Sequence, residues 1–79
     1  MERKILSARD YGHITLHLQE LMDRRGLKRN QVALAIGTRF EVVDKWCNGE
    51  MSRIDADILA RLCYVLECDV YDILSYEKN

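Results

Sequence analysis

The sequence predicts an all-α domain of about five helices, preceded by a short N-terminal arm. Three observations favour this fold class: apolar residues recur at the spacing of amphipathic helices, glycines separate the segments that show this spacing, and the chain contains no proline. A chain of 79 residues is long enough for one domain that buries roughly 60–65% of its unfolded surface. We expect residues 1–11 to form the arm, residues 12–76 the folded domain and residues 77–79 a tail.

A first helix is predicted to begin at Gly12 and to end at Gly26. Gly26 favours the end of the helix, because the left-handed residue that closes a helix is most often glycine. Leu27 would then turn the chain back into the core. The apolar residues that share one face of this helix are Ile14, Leu18, Leu21 and Met22.

Residues 28–49 predict two short helices joined by a tight turn, one from about Arg29 to Ala35 and one from about Phe40 to Cys47. Gly37 lies between them, where a left-handed backbone would cost a residue with a side chain about 1–2 kcal/mol. Each helix has an apolar stripe for the core, and the residues of the two stripes are Val32, Ala33, Ile36, Val43 and Trp46. Two short helices that meet at a glycine turn are typical of a helix-turn-helix motif.

The N-terminal ends of these two helices differ in their capping residues. Lys28 precedes the second helix and lacks a capping side chain, which costs about 1 kcal/mol. The third helix has two candidate caps, Thr38, which forms a capping box with Glu41, and Arg39. The sequence leaves both open. Within the third helix, we interpret Trp46 as the central anchor of the core rather than as an exposed stacking residue.

A fourth helix is predicted over residues 56–66 and a fifth over about residues 70–75. Asp57, in the first turn of the fourth helix, suits the positive end of the helix dipole. Asp69 opens the fifth helix, and Asp72 follows three residues later. The residues that these helices are expected to bury are Ile58, Leu59, Leu62, Leu66, Val70, Ile73 and Leu74. No strand is predicted outside the arm.

Apolar residues, glycines and acidic residues form one pattern across most of the chain. Its members are His13 to Leu16, Glu20 to Met22, Gly26, Leu27, Val32, Ala33, Ile36, Gly37, Val43, Trp46, Asn48, Gly49, Ile54, Asp55, Leu59, Leu62, Cys63, Leu66 to Asp69 and Asp72 to Leu74. With this pattern, residues 13–76 resemble the compact helix-turn-helix domain of the Cro and lambda-repressor (XRE-like) family, in particular its short single-domain subgroup. The resemblance implies a sequence-specific, duplex-DNA-binding transcriptional regulator, a repressor that reads the major groove with its third helix as a homodimer.

The same resemblance places the DNA contacts on and beside the third helix. It implies that bases are read by Phe40, Glu41, Asp44 and Lys45. It implies that phosphates are contacted by Arg29, Arg39, Asn48 and Arg53, for which ordinary solvated surface residues are the alternative. Lysine can donate to guanine, glutamate can accept from cytosine, and an aromatic ring can pack on a thymine methyl group. Since Glu41 and Asp44 repel phosphate, we expect modest affinity unless Lys45 and Arg39 pair with them.

The net charge of −1 does not by itself favour a nucleic-acid-binding protein, but the charge is unevenly distributed. Residues 23–53 carry seven basic and four acidic side chains, a net charge of +3, whereas residues 54–79 carry two basic and six acidic ones, a net charge of −4. Positive charge thus gathers on the helix-turn-helix. The alternative function is a protein-binding helix-turn-helix module, antitoxin-like or anti-repressor. Negative overall charge, the two carboxylates of the third helix and Phe40 as an interface anchor favour it.

The surface of the predicted homodimer is left open by the sequence. Tyr71, Tyr76 and the N-terminal arm are the candidates, because aromatic residues are enriched in interfaces. Within the arm, Arg3, Lys4 and Arg9 could contact DNA or a partner, although a solvated segment or a short edge strand is the favoured interpretation.

Other classes of function are disfavoured. The sequence has no long apolar run and no signal peptide, and its three cysteines are an odd number, so we expect a cytoplasmic protein with reduced thiols and no membrane contact. It has no catalytic motif, and we expect no enzymatic activity, no cofactor and no small-molecule ligand. His13 and His17, one turn apart in the predicted first helix, could join Cys63 and Cys68 at a metal, but a tight Cys-x-x-Cys spacing is absent. Cys47 is the thiol expected to be most exposed.

Overall fold

The computed structural model of the protein describes residues 8–49 and 51–78. Within these ranges the chain forms five helices and one two-stranded antiparallel sheet. In chain order the elements are β1 (His13–Leu16), α1 (Leu18–Arg24), α2 (Arg29–Ile36), α3 (Phe40–Asn48), α4 (Ala56–Leu66), α5 (Val70–Ile73) and β2 (Leu74–Glu77). The five predicted helices are therefore confirmed, but the expected all-α fold is not, since the two ends of the described chain pair as strands.

The first helix begins six residues later than predicted, at Leu18, because the preceding residues form β1. Ile14 lies opposite Tyr76, and Leu16 lies opposite Leu74. β-Branched residues such as isoleucine and threonine favour strands, and the β1 sequence His-Ile-Thr-Leu contains both. Ile14 consequently lies exposed on the sheet instead of on the apolar face of a helix.

The pairing of β1 with β2 also shortens the last helix and explains why a glycine stands at position 12. The fifth helix ends at Ile73, and Leu74, predicted to continue it, begins β2. The backbone N–H of His17 donates to the carbonyl of Ile73 at 2.6 Å, which extends the pairing by one position. At the other end of the sheet, a Cβ on Gly12 would clash with the carbonyl oxygen of Glu77. Glycine is thus required there by the close approach of two chain segments rather than by the start of a helix.

The core lies between the helices and contains the predicted anchor. Trp46 is 1% exposed and is the largest of the fully buried side chains, which confirms its predicted position. The buried residues are Leu18, Leu21, Met22, Val32, Ala33, Ile36, Val43, Trp46, Ile58, Leu62, Leu66 and Ile73. Val70, predicted to be buried, is exposed because the short α5 turns only Ile73 fully inward.

The structure identifies which of the two candidate residues caps the N-terminus of α3. Arg39 occupies the N-cap position of α3 without a side-chain capping bond, so the capping box of Thr38 and Glu41 is not used. At α2, the backbone N–H of Lys28 donates to Oε1 of Gln31 at 2.8 Å, which supplies half of a capping box.

The fourth helix has the predicted bounds, residues 56–66. Oδ1 of Asp55 caps it by accepting from the backbone N–H groups of Asp57 and Ile58, at 2.9 and 3.3 Å. Across the described residues, no helix is both long enough and apolar enough to cross a membrane.

Candidate nucleic-acid interface

The turn between α2 and α3 is held by backbone and side-chain bonds from two elements. Gly37 has a φ of 72°, the left-handed conformation predicted for it, and the N–H of Thr38 donates to the carbonyl of Ala33 at 2.9 Å. From α4, Nη1 of Arg61 donates to the carbonyl of Ile36 at 3.0 Å. These bonds satisfy groups at the end of α2 and fix where α3 begins.

The third helix has one buried face and one outward face. Val43 and Trp46 are buried against the other helices, which directs the opposite side of α3 to the surface. That side carries the four predicted base-reading residues, which follow the helical spacing i, i+1, i+4 and i+5 and are Phe40, Glu41, Asp44 and Lys45. Phe40 is 48% exposed, a large fraction for an aromatic side chain. The structure thus brings these four residues to one face.

The predicted phosphate-contacting residues lie at the start of α2, at the two ends of α3 and in the loop that follows α3, and their side chains have different surroundings. Arg39 lies at the start of α3, Asn48 is its last residue, and Arg53 lies in the following loop. Arg39 and Arg53 are exposed, and within residues 8–49 and 51–78 neither side chain makes a hydrogen bond or ion pair. Arg29, the first residue of α2, is instead partly buried and bound to other parts of the protein.

Arg29 and Asp44 form an ion pair at the centre of a side-chain network across α1, α2 and α3. Nη1 of Arg29 contacts Oδ1 of Asp44, and Nε of Arg29 donates to Oε1 of Gln19 at 2.9 Å. Nδ2 of Asn48 donates to Oδ2 of Asp44 at 3.4 Å. Nε2 of Gln19 donates to Oδ1 of Asp23 at 2.8 Å. We call these five residues the Asp44 network.

The Asp44 network differs from the pairing predicted for the outward face. Lys45 and Arg39 were the partners considered for its carboxylates, whereas the structure gives Asp44 the partners Arg29 and Asn48. Glu41 is exposed and has no side-chain partner within the described part of the chain. One of the two carboxylates on this face is therefore neutralised by the protein itself.

Gln19, which binds Arg29, and Arg61, which binds the end of α2, were not predicted from the sequence. The sequence does contain a local signal for each, since Gln19 lies four residues before Asp23 and Asp57 lies four before Arg61. Arg61 pairs with Asp57 at 2.8 Å. Its contact with the carbonyl of Ile36, 25 positions away, had no sequence signal because that contact depends on how α4 crosses α2.

The cysteines and histidines do not form the metal or redox arrangements considered from the sequence. All three cysteines are partly buried, and Sγ of Cys47 donates to Sδ of Met22 at 3.6 Å, so Cys47 is not an exposed thiol. Burial raises the pKa of Cys47 and of Cys68, which keeps both thiols protonated near neutral pH. His13 and His17 lie on and after β1, not one helical turn apart. Among the described residues, no group of three or more potential ligands could hold a metal ion.

Comparison with known protein families gives one match that covers most of the chain. The model of the Cro/C1-type helix-turn-helix DNA-binding domain matches residues 17–79. The match begins directly after β1 and includes all five helices and β2. No curated protein was found to match the chain.

Proposed function

The chain belongs to the Cro/C1-type helix-turn-helix DNA-binding family, and on this premise we propose that it is a sequence-specific transcriptional regulator, a repressor that binds duplex DNA as a homodimer. The observation that carries the proposal is the outward face of α3. This face is exposed, is not covered by any other described element, and combines one aromatic, one cationic and two anionic side chains.

The third helix has the dimensions needed for the major groove. An α-helix with its side chains is about 10–12 Å wide, and the major groove of B-DNA is about 12 Å wide. Helix-turn-helix proteins place the N-terminal part of the second helix of the motif against the base edges. In this chain that part of α3 begins at Phe40 and Glu41.

We assign base reading to the four residues of the outward face, with a different contact for each type of side chain. Lys45 would donate to O6 and N7 of guanine, and Glu41 would accept from N4 of cytosine. Phe40 would pack on a thymine methyl group, which accounts for an aromatic side chain that the core does not use. Asp44 lies between these residues, but its oxygens already accept from Arg29 and Asn48.

Phosphate contacts would position this helix on the duplex. Arg39 and Arg53 are exposed near the two ends of α3 and can each reach toward one strand of the backbone. Arg29 and Asn48 complete the proposed set, although both also bind Asp44. Since such contacts release counterions, affinity should fall steeply as salt concentration rises.

We propose a homodimer because one domain can form only a small interface with DNA. Single DNA-binding modules bury about 600–1,000 Å² of protein surface, whereas tight operator binding uses larger interfaces. Two copies on half-sites about 34 Å apart would double the contacts. Tyr71 and Tyr76 are exposed and are our candidates for the dimer surface.

A protein-binding role for the same surface is the second candidate. It is favoured by the exposure of Phe40, which could insert into a pocket of a partner, and by the neutralisation of Arg29 by Asp44. The two functions differ in their salt dependence, because an apolar interface responds weakly to salt.

The experiment that tests the proposal is selection of bound duplexes from a random pool at two salt concentrations, with the oligomeric state measured in parallel. We expect an enriched inverted repeat with half-sites one helical turn apart, bound by a dimer and weakened steeply by salt. If no sequence were enriched even at low salt, DNA binding would be rejected in favour of the protein-binding function.

A further inference from the structure

We propose that Asp44 limits the DNA affinity of the domain as a positioning residue that acts through Arg29. Its carboxylate pairs with the guanidinium of Arg29, which a DNA phosphate could otherwise bind. The inference rests on the proposed function, since it requires that α3 bind duplex DNA. This role is separate from the proposed base reading by Asp44, because it depends on the contact with Arg29 and not on a contact with a base.

The contacts around Asp44 show how fully the carboxylate is engaged. Oδ1 faces Nη1 of Arg29, and Oδ2 accepts from Nδ2 of Asn48 at 3.4 Å. Arg29 is held from a second direction, because its Nε donates to Oε1 of Gln19 at 2.9 Å. The guanidinium is therefore fixed in position between α1 and α3, with fewer donors left for a ligand.

The place of this pair in the fold makes it a competitor of DNA. Arg29 is the first residue of α2, at the rim of the proposed DNA surface, and Asp44 shares the outward face of α3 with Lys45. A carboxylate and a phosphate bind a guanidinium through the same kind of charge-assisted hydrogen bonds. The carboxylate of Asp44 thus binds Arg29 in the place where a backbone phosphate would otherwise bind.

The Arg29–Asp44 pair is also exposed enough for a DNA phosphate to open it. The side chains of Arg29 and Asp44 are 29% and 37% exposed, so solvent screens their attraction and a phosphate can approach. Arg29 can bind a phosphate of any duplex only after its pair with Asp44 has opened, and opening the pair costs the same free energy on every sequence. The pair would therefore weaken binding to operator and non-operator DNA alike.

The test compares Asp44→Asn with the matched variant Glu41→Gln in the full chain. Both remove one negative charge from the outward face of α3, but only Asp44 is paired with Arg29. Binding to the selected operator and to an unrelated duplex is measured at several salt concentrations. Circular dichroism confirms that each variant is folded.

We expect Asp44→Asn to raise affinity for the unrelated duplex several-fold. One additional phosphate contact should also make the slope of log affinity against log salt steeper by about 0.9. Glu41→Gln should raise affinity for the unrelated duplex less, because it frees no arginine. In an Arg29→Gln background, Asp44→Asn should have no larger effect on the unrelated duplex than Glu41→Gln, which shows that Asp44 acts through Arg29.

Two outcomes would overturn the inference and can be told apart. If the wild-type chain bound no duplex at low salt, the proposed function would fail and this inference with it. If the wild-type chain bound its operator but Asp44→Asn matched Glu41→Gln on the unrelated duplex, or lowered affinity for both duplexes, only the role of Asp44 would be rejected.

Discussion

The two faces of α3 are made by the same nine residues and have opposite surroundings. On the inner face, Val43 and Trp46 are almost completely buried, so their contribution is to stability. On the outer face, Phe40, Glu41 and Lys45 are exposed and make no side-chain bond within the described residues. The side chains that hold α3 in place are therefore separate from those proposed to read bases, and one set can be changed without the other.

Asp44 and Cys47 of α3 are partly buried and bound to neighbouring side chains. Asp44, on the outer face, is tied to Arg29 and Asn48, and Cys47 contacts Met22. These contacts join α3 to α1 and α2. Substitutions of Asp44 or Cys47 should therefore affect both stability and binding, whereas substitutions of the fully buried or the unpaired exposed side chains should affect one of them.

The largest effect is expected from Trp46→Ala. Removing a buried tryptophan leaves a cavity and should lower the free energy of unfolding by about 3–5 kcal/mol, a large part of the stability of a small domain. Urea denaturation followed by circular dichroism measures the change. Phe40→Ala is the control on the same helix and should cost less than about 1 kcal/mol. Equal costs for the two variants would show that the two faces are not distinct.

The next largest effect is expected from Lys45→Ala on the outer face. It should remove about 1–3 kcal/mol of discrimination at one base position, because a direct base contact is lost. Repeating the duplex selection with the variant measures the change in base preference. The free energy of unfolding should stay the same, since Lys45 is exposed. An unchanged base preference would remove Lys45 from the proposed set of base readers.

A smaller and sequence-independent effect is expected from Arg39→Gln. Loss of one phosphate contact should weaken binding to all duplexes alike and reduce the salt slope by about 0.9. Arg24→Gln is the matched control, because it removes the same charge from the exposed end of α1, at a residue outside the proposed set of DNA contacts. If both variants lowered affinity equally, Arg39 would act through overall charge and not through a contact.

The smallest effect concerns Cys47 of α3. Burial raises the pKa of this thiol above its unfolded value, so its contribution to stability is present below the unfolded pKa and is lost as pH rises through the folded pKa. We expect slow alkylation near neutral pH, and a small loss in the free energy of unfolding as pH rises above the pKa of the unfolded thiol. Cys47→Ser should reduce this loss. Rapid alkylation of Cys47 at neutral pH would contradict the burial seen here.

The helices could be predicted from the sequence because each contains its own signal. The fourth helix shows this best, since its apolar spacing and the Asp55 cap lie within the helix and at its start, and its predicted bounds are confirmed. The sheet could not be predicted in the same way. The spacing of Ile14 and Leu18 also fits a helix, and the competing signal, pairing of β1 with β2, comes from the other end of the chain.

The candidate site shows the same limit at the level of single side chains. Helical spacing was sufficient to place Phe40, Glu41, Asp44 and Lys45 on one face opposite Trp46, because that spacing depends only on the geometry of the helix. It could not identify the partners of Asp44, since Arg29 lies 15 positions away on another helix and reaches Asp44 only after α2 and α3 pack together.

By itself, the sequence determined that five helices form, which side of α3 is buried and where the turn at Gly37 occurs. These features follow from residue spacing and backbone preference, which act over a few neighbouring residues. The tertiary structure alone decided that β1 replaces the start of the first helix, that Arg61 binds the end of α2, and that Arg29 is paired with Asp44. Each of these depends on groups distant in sequence, whose approach is fixed only when the core has packed.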